Sequence, residues 1–195
     1  MARLAEVIGD ADVVALLDPG VLRDVASSLT GLWRPDDEPD ATRRAELAAA
    51  ARLRLYADSE HGWALLATQQ GRDDVDARGD SDWSAGFVVS VEALDDGPAP
   101  AEVDALEQLY RHDEGLDGEA ARTLAVAVLC KPVRYLVTRS PSAFRHQREH
   151  DLREGLEIID AVEAVNHLHV APGEPPVAGP LPGSLLADAD PWWVP

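Results

Sequence analysis

Carboxylates at the ends of apolar runs are the residues of this chain best suited to chemistry. Asp18 directly follows the run VVALL (13–17), and Asp73 and Asp74 follow a second run, WALLAT (63–68). The gap from that second run to its acids is about a turn and a half of helix. Glu119 opens the apolar segment DGEAARTLAVAVLC (117–130). Oxygen ligands of this kind, gathered on one edge of a sheet, suit Mg or Mn. Each acid also has a plainer reading. Asp18 would serve as a helix N-cap, Glu119 would complement a helix dipole, and Asp73 and Asp74 would sit on a solvated helix face.

A fourth segment, VRYLVTRSPSAFRHQREH (133–150), breaks the acidic character of the chain. Its apolar run ends in Thr138, then come Arg139, Ser140 and Pro141, then a basic stretch with Arg145, His146, Arg148 and His150. With Lys131, Arg134 and Arg153 this is the densest basic region of the sequence. It would hold an anionic polymer backbone, or it would be a solvated helix whose arginines offset neighbouring acids.

Other chemistries lack their signatures. There is no H-E-x-x-H, no phosphate-binding G-x-x-x-x-G-K-[ST], no dinucleotide G-x-G-x-x-G after a strand and no G-x-S-x-G elbow. His167 and His169 are two apart and cannot share a helical face as metal ligands usually do. The single cysteine, Cys130, excludes an intramolecular disulfide, argues against a thiolate metal site and fits a reducing cytosol. It closes an apolar run, as a small buried hydrophobe would. Asp18 lacks the D-x-D context of a phosphoryl-accepting aspartate, since Gly20 stands in that place.

The elements that must position these residues are legible as alternating short apolar runs and helical patterns. Strands are expected at 13–17, 63–68, 87–94, 133–138 and 156–160. Helices are expected at 19–32, with Pro19 at its first position, at 41–60, at 101–111, at 117–130 and at 160–168, the last opened by an Asp160/Glu163 capping box. A weaker helix at 69–77 contains Gly71, and a short basic one spans 142–150. Acidic 34–40 and polar 78–86 read as loops. The pattern predicts an α/β fold: three layers, α/β/α, with a central, mostly parallel sheet. Right-handed crossovers then bring the strand carboxyl ends, and with them Asp18, the Thr68–Asp74 region and Thr138–Ser140, to one edge.

The 195 residues, 46% hydrophobic and 27% charged, suffice for one domain with a full core. That domain is expected over 1–170. The tail 171–195 holds half of the 14 prolines and ends DADPWWVP. It would be disordered or an extended arm pinned by Trp192 and Trp193 on its own body or on a second subunit. The early acids do not suit a signal peptide, and no apolar stretch reaches the ~20 residues of a membrane span. A cytoplasmic protein with no membrane partner is expected. The net charge of −19 repels nucleic acid at long range, so an RNA ligand would depend on the local basic segment and a bound cation. Abundant Arg and Ala with one lysine suggests a GC-rich bacterial source.

Taken together, the segments VVALLDPGVL, LLATQQGRDDV and GLDGEAARTLAVAVLCKPVRYLVTRS resemble the PIN-domain family, metal-dependent ribonucleases that include the VapC-type toxins. The third segment is the most specific match, and the resemblance spans roughly residues 12–170. It implies a PIN-like fold, catalytic roles for Asp18, Asp74 (or Asp73), Glu119 and Thr138, and a Mg or Mn ion on Asp18, Asp74 and Glu119. It further implies RNA contacts from Arg139, Ser140, Arg145, His146 and Arg148. In-line hydrolysis of RNA phosphodiesters would follow, with a protein inhibitor or a homodimer as further partners. One position departs from the family. An Asp is usual two residues after the Thr, and here Ser140 stands there, a poorer cation ligand. The alternative implied by that departure is a catalytically impaired PIN-like binding or scaffold protein.

Overall fold

The structure is a computed structural model, and it describes residues 2–29, 38–56, 62–77, 88–144 and 153–168. Arg145, His146, Arg148, His150, His169, the 78–86 loop and the tryptophan tail lie outside the described residues.

After a short helix α1 (Leu4–Ile8), strand β1 (Val13–Leu17) leads into α2 (Pro19–Leu29). Helix α3 (Ala41–Tyr56), strand β2 (Trp63–Ala67), helix α4 (Gln69–Asp76) and strand β3 (Val89–Ser90) follow. Then come α5 (Pro100–Asp113), α6 (Gly118–Leu129), β4 (Val133–Val137), β5 (Glu157–Ile159) and α7 (Ala161–His167). The five strands form one sheet in the order β3-β2-β1-β4-β5, and every pair is parallel.

Strand side chains alternate between two cores, as the pleat requires. Ala15, Leu17, Ala67, Tyr135 and Val137 pack with α2, α3, α4 and α7 on one face. Val14, Leu16, Leu66, Val133 and Leu136 pack with α1, α5 and α6 on the other. Two apolar faces covered by helices are why β1 and β2 read as continuous hydrophobic runs rather than alternating ones, as β4 does after its exposed Arg134. The three-layer α/β/α expectation is met.

Two expected elements differ. Among the described residues of the strand expected at 87–94, only Val89–Ser90 is strand, paired with the last two residues of β2, Leu66 and Ala67. The chain then tightens into a 3₁₀ turn over Val91–Ala93, with the Leu94 N–H donating to the Val91 carbonyl at 3.3 Å. Pro141–Phe144 of the expected 142–150 helix is likewise a 3₁₀ turn, and its basic remainder lies outside the described residues. Gly71, which weakens α4 in isolation, has a packing role. A Cβ there would stand 3.3 Å from Thr68 Oγ1, 3.4 Å from Leu22 and 3.5 Å from Pro19, so Gly71 sits where α4 meets α2 and its own cap. At the amino ends of the strands, Trp63, Tyr135 and His167 stack with centroid separations of 5.3 Å.

Candidate functional site

The strand order reverses at β1. The chain leaves β1 toward β2 and β3 through helices on one face, and it reaches β4 through α5 and α6 on the other. Connections that diverge in this way open a crevice at the strand carboxyl ends, where open α/β sheets bind ligands. A cleft of about 190 Å³ lies there, lined by Asp18, Gly20, Arg23, Asp117, Glu119 and Thr138 together with Arg139 and Ser140.

Asp18 sits at the centre of this arrangement because it ends β1 and caps α2. The Val21 N–H donates to its Oδ1 at 2.6 Å. The Thr138 hydroxyl donates to the same carboxylate, and the Arg139 N–H approaches Oδ2 at 3.4 Å. The capping role expected of Asp18 is therefore real, and its carboxylate also faces the cleft. Burial pushes its pKa above the ordinary carboxylate value. The bonds from Thr138, Val21 and Arg139 and the Arg139 charge oppose that rise without cancelling it.

Glu119 arrives from the other face of the sheet. Helix α6 is capped by Asp117, whose Oδ1 accepts the Ala120 N–H at 2.8 Å, and Glu119 lies in its first turn. Helix α6 packs Ala121, Leu124, Ala125 and Val126 inward, and this fixes its amino end against the carboxyl end of β4. Asp74, on α4, is separated from the cleft by Arg23. The Arg23 guanidinium donates to Asp74 Oδ2 at 3.2 Å and to Glu119 Oε1 at 3.5 Å, bridging the two acids. Asp73 turns away, its Oδ1 accepting from the Gln69 side chain at 2.7 Å. Of the two acids left open by the sequence, Asp74 is the one on the side of α2.

Arg139 and Ser140 also line the cleft, but the Arg139 guanidinium is engaged by Asp24, a carboxylate of α2 only 4% exposed. Arg43 of α3 pairs with the same carboxylate. Gly20 leaves the room for this crossing, since a Cβ there would stand 3.0 Å from Arg139 Cδ and 3.1 Å from Asp18 Oδ1. The Ser140 N–H donates to Thr138 Oγ1 at 3.2 Å, which orients the hydroxyl that serves Asp18.

A hard divalent ion suits the chemistry of Asp18 and Glu119. Magnesium is commonly held by one or two carboxylates, with waters and substrate phosphate completing its shell. The three-carboxylate set implied by the resemblance is not assembled. Among the described residues no group of three or more His, Cys, Asp or Glu side chains is placed to hold a metal. Glu119 and Asp74 are joined by a guanidinium instead.

Arg23 and Asp24 were not identified from the sequence. Their one signal is a charged pair inside the otherwise apolar PGVLRDVA. No protein-family model, curated protein or solved structure matches the chain.

Proposed function

We propose that the protein is a PIN-like, divalent-metal-dependent endoribonuclease with its active site in the switch-point cleft. The observation that carries this reading is Asp18. Its carboxylate is crowded by protein at the strand end where the sheet order reverses, and its hydrogen-bond donors are neutral groups, with the Arg139 charge nearby only partly offsetting the burial. A titratable group perturbed by desolvation and facing a cleft at a switch point is a candidate for a functional site.

Asp18 and Glu119 would hold the ion. When bound, a Mg or Mn ion lowers the pKa of a water and stabilises developing charge in hydrolysis of a phosphodiester. The chain's own part is positional. The Thr138 hydroxyl fixes the Asp18 carboxylate, and the Ser140 N–H fixes that hydroxyl in turn. Asp117 holds the first turn of α6 so that Glu119 faces the cleft. RNA is the substrate of this reading, and a toxin-type role with a protein inhibitor, or a homodimer, is compatible with it.

A second reading, a PIN-like binding or scaffold protein without hydrolysis, is supported by the Arg23 bridge and by Ser140 in place of an acid. Cleavage of a mixed-sequence RNA with millimolar Mn²⁺ separates the two. Under the first reading EDTA stops cleavage, and Asp18→Asn and Glu119→Gln each lower kcat/KM by about 100-fold, ~2.7 kcal/mol of transition-state stabilisation. RNA binding without metal-dependent cleavage would instead establish the second.

A further inference from the structure

Arg23 projects from the second turn of α2 into the cleft, and unlike Arg139, which Asp24 engages, its guanidinium lies on two of the acids expected to act there. Its guanidinium spans from Asp74 on α4 to Glu119 on α6. The three side chains belong to helices on both faces of the sheet, so the bridge ties the two sides of the crevice together. It is a loose bridge. The distances are 3.2 and 3.5 Å, and the Asp74 and Glu119 side chains remain 41% and 39% exposed. Ion pairs with this much access to water contribute little. A single positive charge held so lightly is displaceable by a doubly charged ion with a stronger demand for oxygen ligands.

We propose that Arg23 is a built-in competitor for the divalent ion: its guanidinium neutralises Glu119 together with Asp74 and must release Glu119 before an ion can be held there with Asp18. This rests on the reading of Asp18 and Glu119 as the metal ligands. The consequence is a site whose metal affinity is held down by its own side chain. Occupancy then depends on the ion concentration instead of being permanent. The bond to Asp74 is the shorter of the two, so on release Arg23 remains on Asp74 at the edge of the cleft rather than swinging into solvent.

The test is Mn²⁺ binding by titration calorimetry on the full chain, with electron paramagnetic resonance of free Mn²⁺ as a second readout. The proteins compared are the wild type, Arg23→Met, Arg23→Lys, Asp18→Asn and the double variant Arg23→Met/Asp18→Asn. Arg23→Met is expected to tighten Mn²⁺ binding by about threefold to fivefold, within the ~1 kcal/mol that such exposed pairs contribute, while Arg23→Lys stays near the wild-type value because it retains the charge. Asp74 and Glu119 are both partly exposed, so losing the bridge leaves the fold intact, and far-UV circular dichroism checks this. Equal or weaker binding by Arg23→Met overturns the competitor role. If Asp18→Asn still weakens binding in that case, the metal-site reading stands without it. Tighter binding by Arg23→Met that Asp18→Asn does not reduce places the ion away from the cleft and overturns both, as does the absence of Mn²⁺ binding in every variant.

Discussion

Asp18 carries opposing demands in one side chain. It caps α2 through the Val21 N–H, and it keeps a crowded carboxylate whose pKa is raised from 3.8. The folded state therefore binds a proton more readily than the unfolded chain, and Asp18 costs stability as pH rises through its folded pKa. Asparagine caps helices as well as aspartate does, and the Thr138 hydroxyl can donate or accept. Asp18→Asn should thus raise Tm near neutral pH, with the difference vanishing on acidification below 3.8. Thermal melts across a pH series check this, and a variant less stable than wild type at neutral pH would mean that the carboxylate serves the fold alone. Cys130 is the contrasting case. Burial pushes its thiol up to about 11, so it is inert at neutral pH and behaves as the small hydrophobe its place in the sequence suggests. Asp18, Glu119 and Thr138 were legible because each sits at the end of an apolar run, where topology fixes the position. The resemblance already preferred Asp74 to Asp73, but that Asp74 meets α2 while Asp73 turns to Gln69 depends on tertiary placement, and so do the roles of Arg23 and Asp24. Adjacent residues on a helix point in different directions, and nothing local says that one meets α4 and α6 while the other meets α3.

At the level of elements, the site is held by side-chain ties between segments remote in sequence. Asp24 is the principal one, joining α2 to Arg43 of α3 and to Arg139 beyond β4. Removing a buried partner strands the others, at a cost of 3–5 kcal/mol for fully buried pairs. Arg43 and Arg139 keep 27% and 36% of their side-chain surface exposed, which softens that cost. Asp24→Ala should therefore lower the unfolding free energy by about 2–3 kcal/mol in urea titrations, and should loosen the loop that carries Ser140. A change below half a kcal/mol would show that solvent replaces the carboxylate. Elements with strong periodicity or caps were readable: β1, β2, β4 and the Asp160/Glu163 box of α7, whereas the Thr68 cap that supports the weaker α4 shows only in the structure. Helix α1 was missed because it is five residues long and is anchored from a distance, its Leu4 N–H donating to Asp96 at 2.6 Å. The third strand was read too long because its composition does not reveal that only two of its residues find a partner on β2.

Across the described residues, a sheet of order β3-β2-β1-β4-β5 is sandwiched between two largely apolar cores, and Asp18, Thr138 and Glu119 meet at its carboxyl edge. Arg153 secures the opposite side of the second core. Its guanidinium donates to the carbonyls of Ala127, Cys130, Lys131 and Val133, closing the end of α6 that leads into β4. Among the described residues no helix is long and apolar enough to cross a membrane. A net charge of −19 sets a general repulsion against RNA, which makes a divalent ion in the cleft the centre of the functional claim. Paramagnetic broadening of amide resonances by Mn²⁺ tests that claim directly. At substoichiometric Mn²⁺ the amides of Val21, Ala120 and Arg139, which line or cap the cleft, should broaden first. Those of Gly62 and Trp63 should stay sharp, since the five-residue strands set the two edges roughly 16 Å apart. The selective broadening should disappear in Asp18→Asn. Broadening that spares the cleft, or that survives the loss of Asp18, would contradict a divalent-ion site on Asp18 and Glu119.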